Sequence, residues 1–544
     1  MTQKGQTGPR AIAIVGPYLS GKTTLLESIL AMTGRVNRKG AQPGLRLFGD
    51  TSAESKEQAM GIDLNAATTE FLEDTFFFLD CPGSLEFLQE TVNALPGVDA
   101  AVVVVEPDPA KAKMAAPYLK LLEDADIPHL IFVNKIEKLG AASVRDLEKA
   151  LNDASGKRAV LRHLPIKKGE NVTGYVDLAS KRAYLYEHEK PSRRIDYPEG
   201  DSQIPEARFH LLETLADFDD HLMEGLLEDK EPSLESVFED LTRDTAESKV
   251  ISVLLGTALH DGGVFRLMKA LRHEAPGIAA TAKRRKIKLD GGFLAQVLKT
   301  QHTEHGGKRS LVRVLRGSIK DGGTVNGERI SGIFYVLGTD AAKRPEAKAG
   351  DLAAFGRMEK LTTGAAVSED GGKKLEAPVT LPPVYEIALE PASRNDEMKI
   401  VESLHKICDE DPSVTFEQRE ATHELVLRGQ GEVHLKTAIA RLKSRYHLNV
   451  RHRPPKVPYQ ETIRVGTQSH ARHKKQSGGH GQFGDVTVDI KPLSRGEGFK
   501  FVDQIKGGAV PRQYIPSVEI GIVDYLKKGP LGFPVVDLQV TLID

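Results

Sequence analysis

The feature that most narrows what this chain can fold into is an octapeptide, GPYLSGKT at residues 16–23, lying between an apolar run and a helical pattern. Ala11 to Val15 reads as a buried strand, and Leu25, Leu26, Ile29 and Leu30 recur on one side of a helix from Thr23 to Met32. Strand, glycine loop and helix in this order let backbone N–H groups curl round an anion at a helix N-terminus. The motif assigns phosphate contacts to Gly16, Ser20, Gly21, Lys22, Thr23 and Thr24. Lys22 is expected on the outer phosphates and the Thr23 hydroxyl on magnesium.

Further strands end in loops of the same kind. Phe76 to Leu79 leads into Asp80, Cys81, Pro82 and Gly83. An Asp at a strand's carboxyl end can hold magnesium through water, and the Gly83 N–H can approach a terminal phosphate. Asp-x-Pro-Gly is also an ordinary turn, so its weight comes from sharing a chain with the GKT loop. Ala100 to Val105 forms a third strand, and Leu130 to Val133 feeds Asn134, Lys135, Ile136 and Glu137. Asn134 orders a base pocket and Lys135 stacks over the base, while the Glu137 carboxylate offers acceptors for guanine N1 and N2. Adenine lacks that donor pair, and an unpaired polar group costs more than a missing contact of similar area. After Ile251 to Leu255 come Gly256, Thr257 and Ala258, where an N–H near Ala258 can meet guanine O6. The expected ligand is GTP or GDP with Mg2+, in an α/β domain with a mostly parallel sheet.

At 544 residues the chain exceeds one hydrophobic core, and length alone gives roughly three to five domains. The 74 Lys and Arg against 76 Asp and Glu leave a net charge of -2, so any nucleic-acid surface must be local. Two cysteines, Cys81 and Cys408, give no disulfide framework, and a reducing, cytoplasmic setting is expected. No apolar run approaches a membrane span, and the polar start carries no signal-peptide pattern.

Between Asn134 and Gly256 lies an insertion, about 160–245, with a β-like piece from Gly174 to Glu187 and an acidic amphipathic helix from Ala207 to Leu227. Its acidic residues, Glu213, Asp217 and Asp220 among them, read most simply as a solvated face, with a basic protein partner as the sharper alternative. Beyond Pro276 short strands such as Phe293 to Val297 and Leu311 to Leu315 indicate a small β-barrel. From Val384 to Tyr446 the order strand, helix, strand, strand, helix opens a ferredoxin-like split βαβ unit. In the last part, Arg472, His473, Lys474 and Lys475 adjoin a glycine stretch and Phe483, a composition suited to RNA backbone contact.

With the nucleotide loops at 16–24, 80–83, 134–137 and 256–258, and the strings ADFDDHLMEGLLEDKEP, RVLRGSIKDGGTV, LRGQGEVHL and HKKQSGGHGQFGDV, the chain resembles bacterial elongation factor G. That family belongs to the translational GTPases. The resemblance implies a GTP-binding domain at 1–280, a translation-factor β-barrel at 281–382, a ferredoxin-like domain at 383–463 and a partial fourth domain at 464–544. The family continues past the strand-like LQVTLID, so the resemblance implies a chain lacking the carboxyl-terminal part. The implied partners are the ribosome, its RNA and the large-subunit stalk proteins, with a monomer off the ribosome.

Four positions depart from the family pattern, all near one ligand. Leu19 replaces an Asp of the phosphate loop and removes an oxygen ligand. Asp63 follows Gly61 and Ile62 where the family has Thr; it can ligate magnesium, yet it brings negative charge towards a polyphosphate. Ser84 stands where the family has the His that positions water, and Glu137 replaces Asp with its acceptors intact. The catalytic group implied is Lys22, Asp63, Gly83 and Ser84, with Thr23, Asp63 and Asp80 on the metal. The expected function is a GTP-binding, ribosome-associated translation factor that hydrolyses GTP to drive translocation or ribosome disassembly. The alternative is a ribosome-associated regulator with little or no turnover. A metabolic P-loop enzyme is disfavoured, because no second substrate-specific acid-base cluster is readable.

Overall fold

The computed structural model describes residues 8–36, 52–58, 60–140, 142–187, 190–198, 200–303, 307–337, 340–372 and 374–544. The chain forms two compact units, Met1–Glu417 with Leu425–Arg453, and Gln418–Glu424 with Pro454–Asp544.

In the first unit the apolar runs become sheet strands buried on both faces, as a parallel sheet covered by helices requires. Their order is Asn65–Phe71, Asp74–Asp80, Arg10–Val15, Ala100–Val105, His129–Val133, Val250–Leu255 and Arg158–Leu161. All neighbours are parallel except the first pair, which is a hairpin. The chain passes from Arg10–Val15 to its neighbour Asp74–Asp80 on one side and then crosses to Ala100–Val105 on the other, so the carboxyl end of Arg10–Val15 opens the crevice where such sheets bind ligands. The register sets Ile14 beside Asp80 across that end.

The insertion starts in this sheet at Arg158–Leu161 and returns to it at Val250–Leu255. Between these, His163–Lys168, Asn171–Asp177, Arg182–Glu187 and Lys190–Ile195 form an antiparallel sheet. The acidic helix expected from Ala207 to Leu227 is two helices, Gln203–Ala216 and Asp220–Leu227. Asp219 causes the break: its carboxylate accepts the N–H groups of His221 and Leu222 and caps the second helix. Much of the acidic face is satisfied internally, with Asp217 on Arg158 and Asp219 on Arg243, each at 3.0 Å.

The barrel strands Leu294–Thr303 and Gly307–Arg316 form a long hairpin, and Ile333–Leu337 joins the nucleotide-domain sheet by pairing Leu337 with Ala67. The third domain runs Tyr385–Pro391, helix Glu397–Glu410, Thr415–Arg419, Glu424–Gly429, helix Glu432–Tyr446 and Val450–Arg453. Its helices pack Ile400, Leu404, Leu435 and Leu442 against Ile387 and Leu427 of the sheet.

In the second unit, Thr467–Ser477 and His480–Pro492 form a long antiparallel ribbon. Leu538–Leu542 pairs with that ribbon on one side and, in parallel, with Phe499–Asp503 on the other. Helix Ile515–Leu526 makes the crossover between the two parallel strands.

Candidate nucleotide site and the ion cluster beside it

Two glycines shape the phosphate loop. Gly16 has φ 137°, and a Cβ there would lie 2.3 Å from the Val104 carbonyl oxygen. Gly21 has φ 92°, and a Cβ would lie 2.3 Å from Asn134 Nδ2. Any side chain at either position would push the loop off the sheet edge. Leu19 also sits in the left-handed region, at φ 64°, with its side chain 63% exposed. That conformation suits Asp or Asn better than Leu.

Lys22 is buried, and its Nζ donates to the carbonyl oxygens of Gly16 and Pro17, each at 3.0 Å. Burial pushes its pKa down to about 8 against the opposing pull of Asp80. Gly83 lies over this amine, since a Cβ there would sit 2.1 Å from Nζ. The Tyr118 hydroxyl holds the loop by donating to the Gly83 carbonyl at 2.9 Å. Thr23 Oγ1 donates to Asp80 Oδ2 at 2.7 Å. Two of the three sequence-assigned magnesium ligands therefore converge, although they lie on different elements.

The base side closes round Asn134. Its Nδ2 donates to the Ser20 carbonyl at 2.9 Å, and its Oδ1 accepts the Ala258 N–H at 2.8 Å. One amide thus joins the phosphate loop to the 256–258 loop. Lys135 Nζ donates to the Leu19 carbonyl at 2.6 Å and pairs with Glu106, a residue that sequence reasoning passed over. Glu137 is exposed on the short turn Ile136–Lys138, and Thr24 is half-buried on the loop helix. The buried Ser20 Oγ and Thr257 Oγ1 have no hydrogen-bond partner among the described residues. Unpaired buried hydroxyls, a desolvated lysine and a Thr–Asp pair fit a magnesium nucleotide, which would satisfy them together.

Two of the expected catalytic residues stand differently. Ser84 Oγ accepts the Glu86 N–H at 3.4 Å and caps the turn Leu85–Phe87. The Asp63 carboxylate does not join Thr23 and Asp80 as expected. It accepts from Lys299 of the barrel at 2.7 Å and from Arg441 of the third domain at 2.9 Å. Burial alone would raise its pKa, but Arg441 and Lys299 together hold it well below the usual carboxylate range. The charge that seemed to oppose closure over a polyphosphate is neutralised by two cations from other domains. Lys299 also meets Glu90 at 2.6 Å, and Glu90 in turn accepts the Leu64 N–H at 2.7 Å.

The elongation factor Tu GTP binding domain model matches residues 8–277, the elongation factor G domain III model 381–454, and the domain IV model 455–544. An elongation factor G-like protein of Synechocystis sp. is 44% identical over 538 residues, covering 98% of this chain and 80% of the relative. The chain belongs to the elongation factor G family. A crystal structure of a Thermus thermophilus protein superposes with a TM-score of 0.84 at 31% identity, over 98% of this chain and 80% of that one. Membership makes the chain a GTP-binding, ribosome-associated translation factor. Among the described residues, no helix is long and apolar enough to cross a membrane.

One expectation is overturned. The reading of 464–544 as a partial fourth domain, and with it the expected loss of part of that domain, is corrected by the match of the domain IV model to 455–544. The physical reason is topological: the strand-like LQVTLID holds Leu538–Leu542, an interior strand of this domain's sheet paired on both edges. In the same unit, Arg472, Lys474 and Lys475 are exposed on the ribbon, with the Arg472 guanidinium 5.5 Å from the Phe483 ring centroid.

Sequence reasoning missed Lys299, Arg441, Glu90 and Glu86. Glu86 accepts the His434 N–H at 2.8 Å, at the start of the third-domain helix Glu432–Tyr446. Only Asp63 carried a signal, as a carboxylate where this family has a hydroxyl, and nothing local pointed to cations 236 and 378 positions away.

Proposed function

We propose that this factor works on the cytoplasmic ribosome as a slow GTPase, its nucleotide loops tied to the barrel and third domain through Asp63. The Thr23–Asp80 contact carries the nucleotide part of this reading. These two residues would hold magnesium, which when bound offsets negative charge on the phosphates. Lys22 would supply a point charge to the outer phosphates, and Glu137 the acceptors that select guanine. Ser84 is engaged in capping a turn and is too short to orient water as the family's His does, which supports slow turnover. The exposed Arg472, Lys474 and Lys475 suit ribosomal RNA, and the remaining acids of the insertion suit a basic surface on a ribosomal stalk protein.

Cosedimentation with ribosomes in a non-hydrolysable GTP analogue tests the assignment. Binding that requires the analogue and weakens as salt rises is expected. A chain that stays in the supernatant at low salt would sink it.

A further inference from the structure

A cleft of about 1040 Å³ lies between helix Val264–Glu274, helix Leu234–Ala246 and the insertion strands Asn171–Asp177 and Arg182–Glu187. Its size is that of a drug-sized ligand, and it shares no residue with the phosphate loop. Four Lys and Arg side chains line it: Lys269 and Arg266, one helical turn apart, Arg182 from the sheet, and Arg243, which is paired with Asp219, Asp240 and Asp244. Arg266 is tied to Asp177 at 2.7 Å. Lys269 and Arg182 have no carboxylate partner among the described residues. Lys269 instead rests on the Phe265 ring at 5.0 Å. Burial and the neighbouring Arg266, Arg182 and Arg272 push its pKa down, the mark of an ammonium crowded by like charge.

The rest of the cleft suits a flat base. His163, Tyr175 and Tyr184 form a stack with centroid spacings of 4.1 and 5.3 Å, and the stack ends at the half-buried Tyr184, which lines the cleft. The Ser180 hydroxyl lines it too, nine-tenths buried and without a hydrogen-bond partner among the described residues. Helix Leu234–Ala246 contributes Glu235, an acceptor of the kind a purine's exocyclic amine or ring N–H would meet. Cations, a ring surface and a carboxylate on separate elements match a ligand with an anionic end and an aromatic, hydrogen-donating end. A bare anion would use only the cations.

We infer that this cleft binds a purine nucleoside phosphate, with its phosphates on Lys269 and Arg182 and its base beside Tyr184, as a second nucleotide site apart from the GTP site. The Ser192 hydroxyl that lines the cleft accepts the Gly263 N–H, at the start of helix Val264–Glu274, at 3.4 Å.

Titration of the full chain with ADP carrying a fluorescent ribose label tests the inference, because the guanine-selective loops disfavour adenine at the first site. Saturable binding is expected in the wild type and in Lys22→Ala. Lys269→Gln and Arg182→Gln are each expected to weaken it about tenfold or more, and inorganic pyrophosphate should compete at least about tenfold less well than ADP. GDP binding and an unchanged melting temperature would establish that the Gln variants are folded. Absence of saturable binding, or binding lost in Lys22→Ala and kept in both Gln variants, would overturn the site. Pyrophosphate competing as well as ADP would overturn the nucleotide class.

Discussion

A single guanidinium nitrogen of Arg441 lies 2.9 Å from both carboxylate oxygens of Asp63, across 378 positions of sequence and between two domains. Arg441 is 6% exposed and Lys299, on the other side of Asp63, is nearly as enclosed, so the three charges are compensated mainly by one another and by Glu90, with Glu410 also acting on Arg441 and Arg445 on Asp63. Removing one member of such a group leaves the others buried without a partner, which costs more than the pair itself contributes.

Asp63→Asn should therefore destabilise the first unit by about 3–5 kcal/mol, read as a lower denaturant midpoint. The variant should also change the pH profile. A carboxyl whose folded pKa is depressed contributes stability that is present above its unfolded pKa, about 4, and lost as pH falls through the folded value. Wild-type stability should fall steeply below about pH 4, and the Asn variant should fall less. Burial pushes Glu90 the other way, so the comparison must keep Glu90 intact. Equal acid slopes in the two proteins would show that the pair does not govern this behaviour.

Lys22 offers a test in the alkaline direction. Its folded pKa of about 8 means that the free protein loses this ammonium as pH rises past 8. Phosphate binding favours the charged form, so binding takes up a proton there and GTP affinity should drop by up to about tenfold per pH unit above pH 8. Lys22→Ala should bind GTP far more weakly at pH 7 and show none of that slope. Titration with labelled nucleotide from pH 7 to 9.5 measures both, and a flat wild-type profile would count against the buried amine as a phosphate ligand.

Turnover tests the reading of Ser84. Ribosomes should accelerate phosphate release only weakly in the wild type. Ser84→His should raise the stimulated rate by about tenfold or more, within the range a positioned acid-base group supplies. Both proteins must first be matched for GTP binding. Strong stimulation of the wild type would place the factor among fast ribosomal GTPases.

Gly431 tests the second junction between the nucleotide and third domains. A Cβ there would lie 2.4 Å from Glu86 Cδ, so Gly431→Ala must displace the carboxylate from the His434 N–H. Because a side chain can swing away, the expected cost is the lost charged hydrogen bond, about 1–3 kcal/mol. Glu86→Gln should cost less, since the amide oxygen still accepts. Melting curves of the two variants give the comparison; an Ala variant as stable as wild type would mean that Glu86 contributes nothing there.

The sequence by itself determined the nucleotide loops, because each is a short string with its own backbone demand: Gly16 and Gly21 for close approach, Lys22 and Thr23 at a helix start, Asp80 at a strand end. It also determined the family, through motifs spread along the chain, and the strand and helix order of the third domain, where hydrophobic period and turn residues agree. Tertiary structure decided the rest. Asp219 split one acidic helix into two by capping, a local choice that amphipathic periodicity cannot register. LQVTLID read as strand-like, but that it is an interior strand was not legible, since a strand's place in a sheet depends on partners far away in sequence. Asp63 read as a metal ligand because it stands where the family has a Thr, but its side chain went to Lys299 and Arg441. A buried carboxylate takes its strongest compensating charges wherever the fold brings them, and no local pattern records where that is.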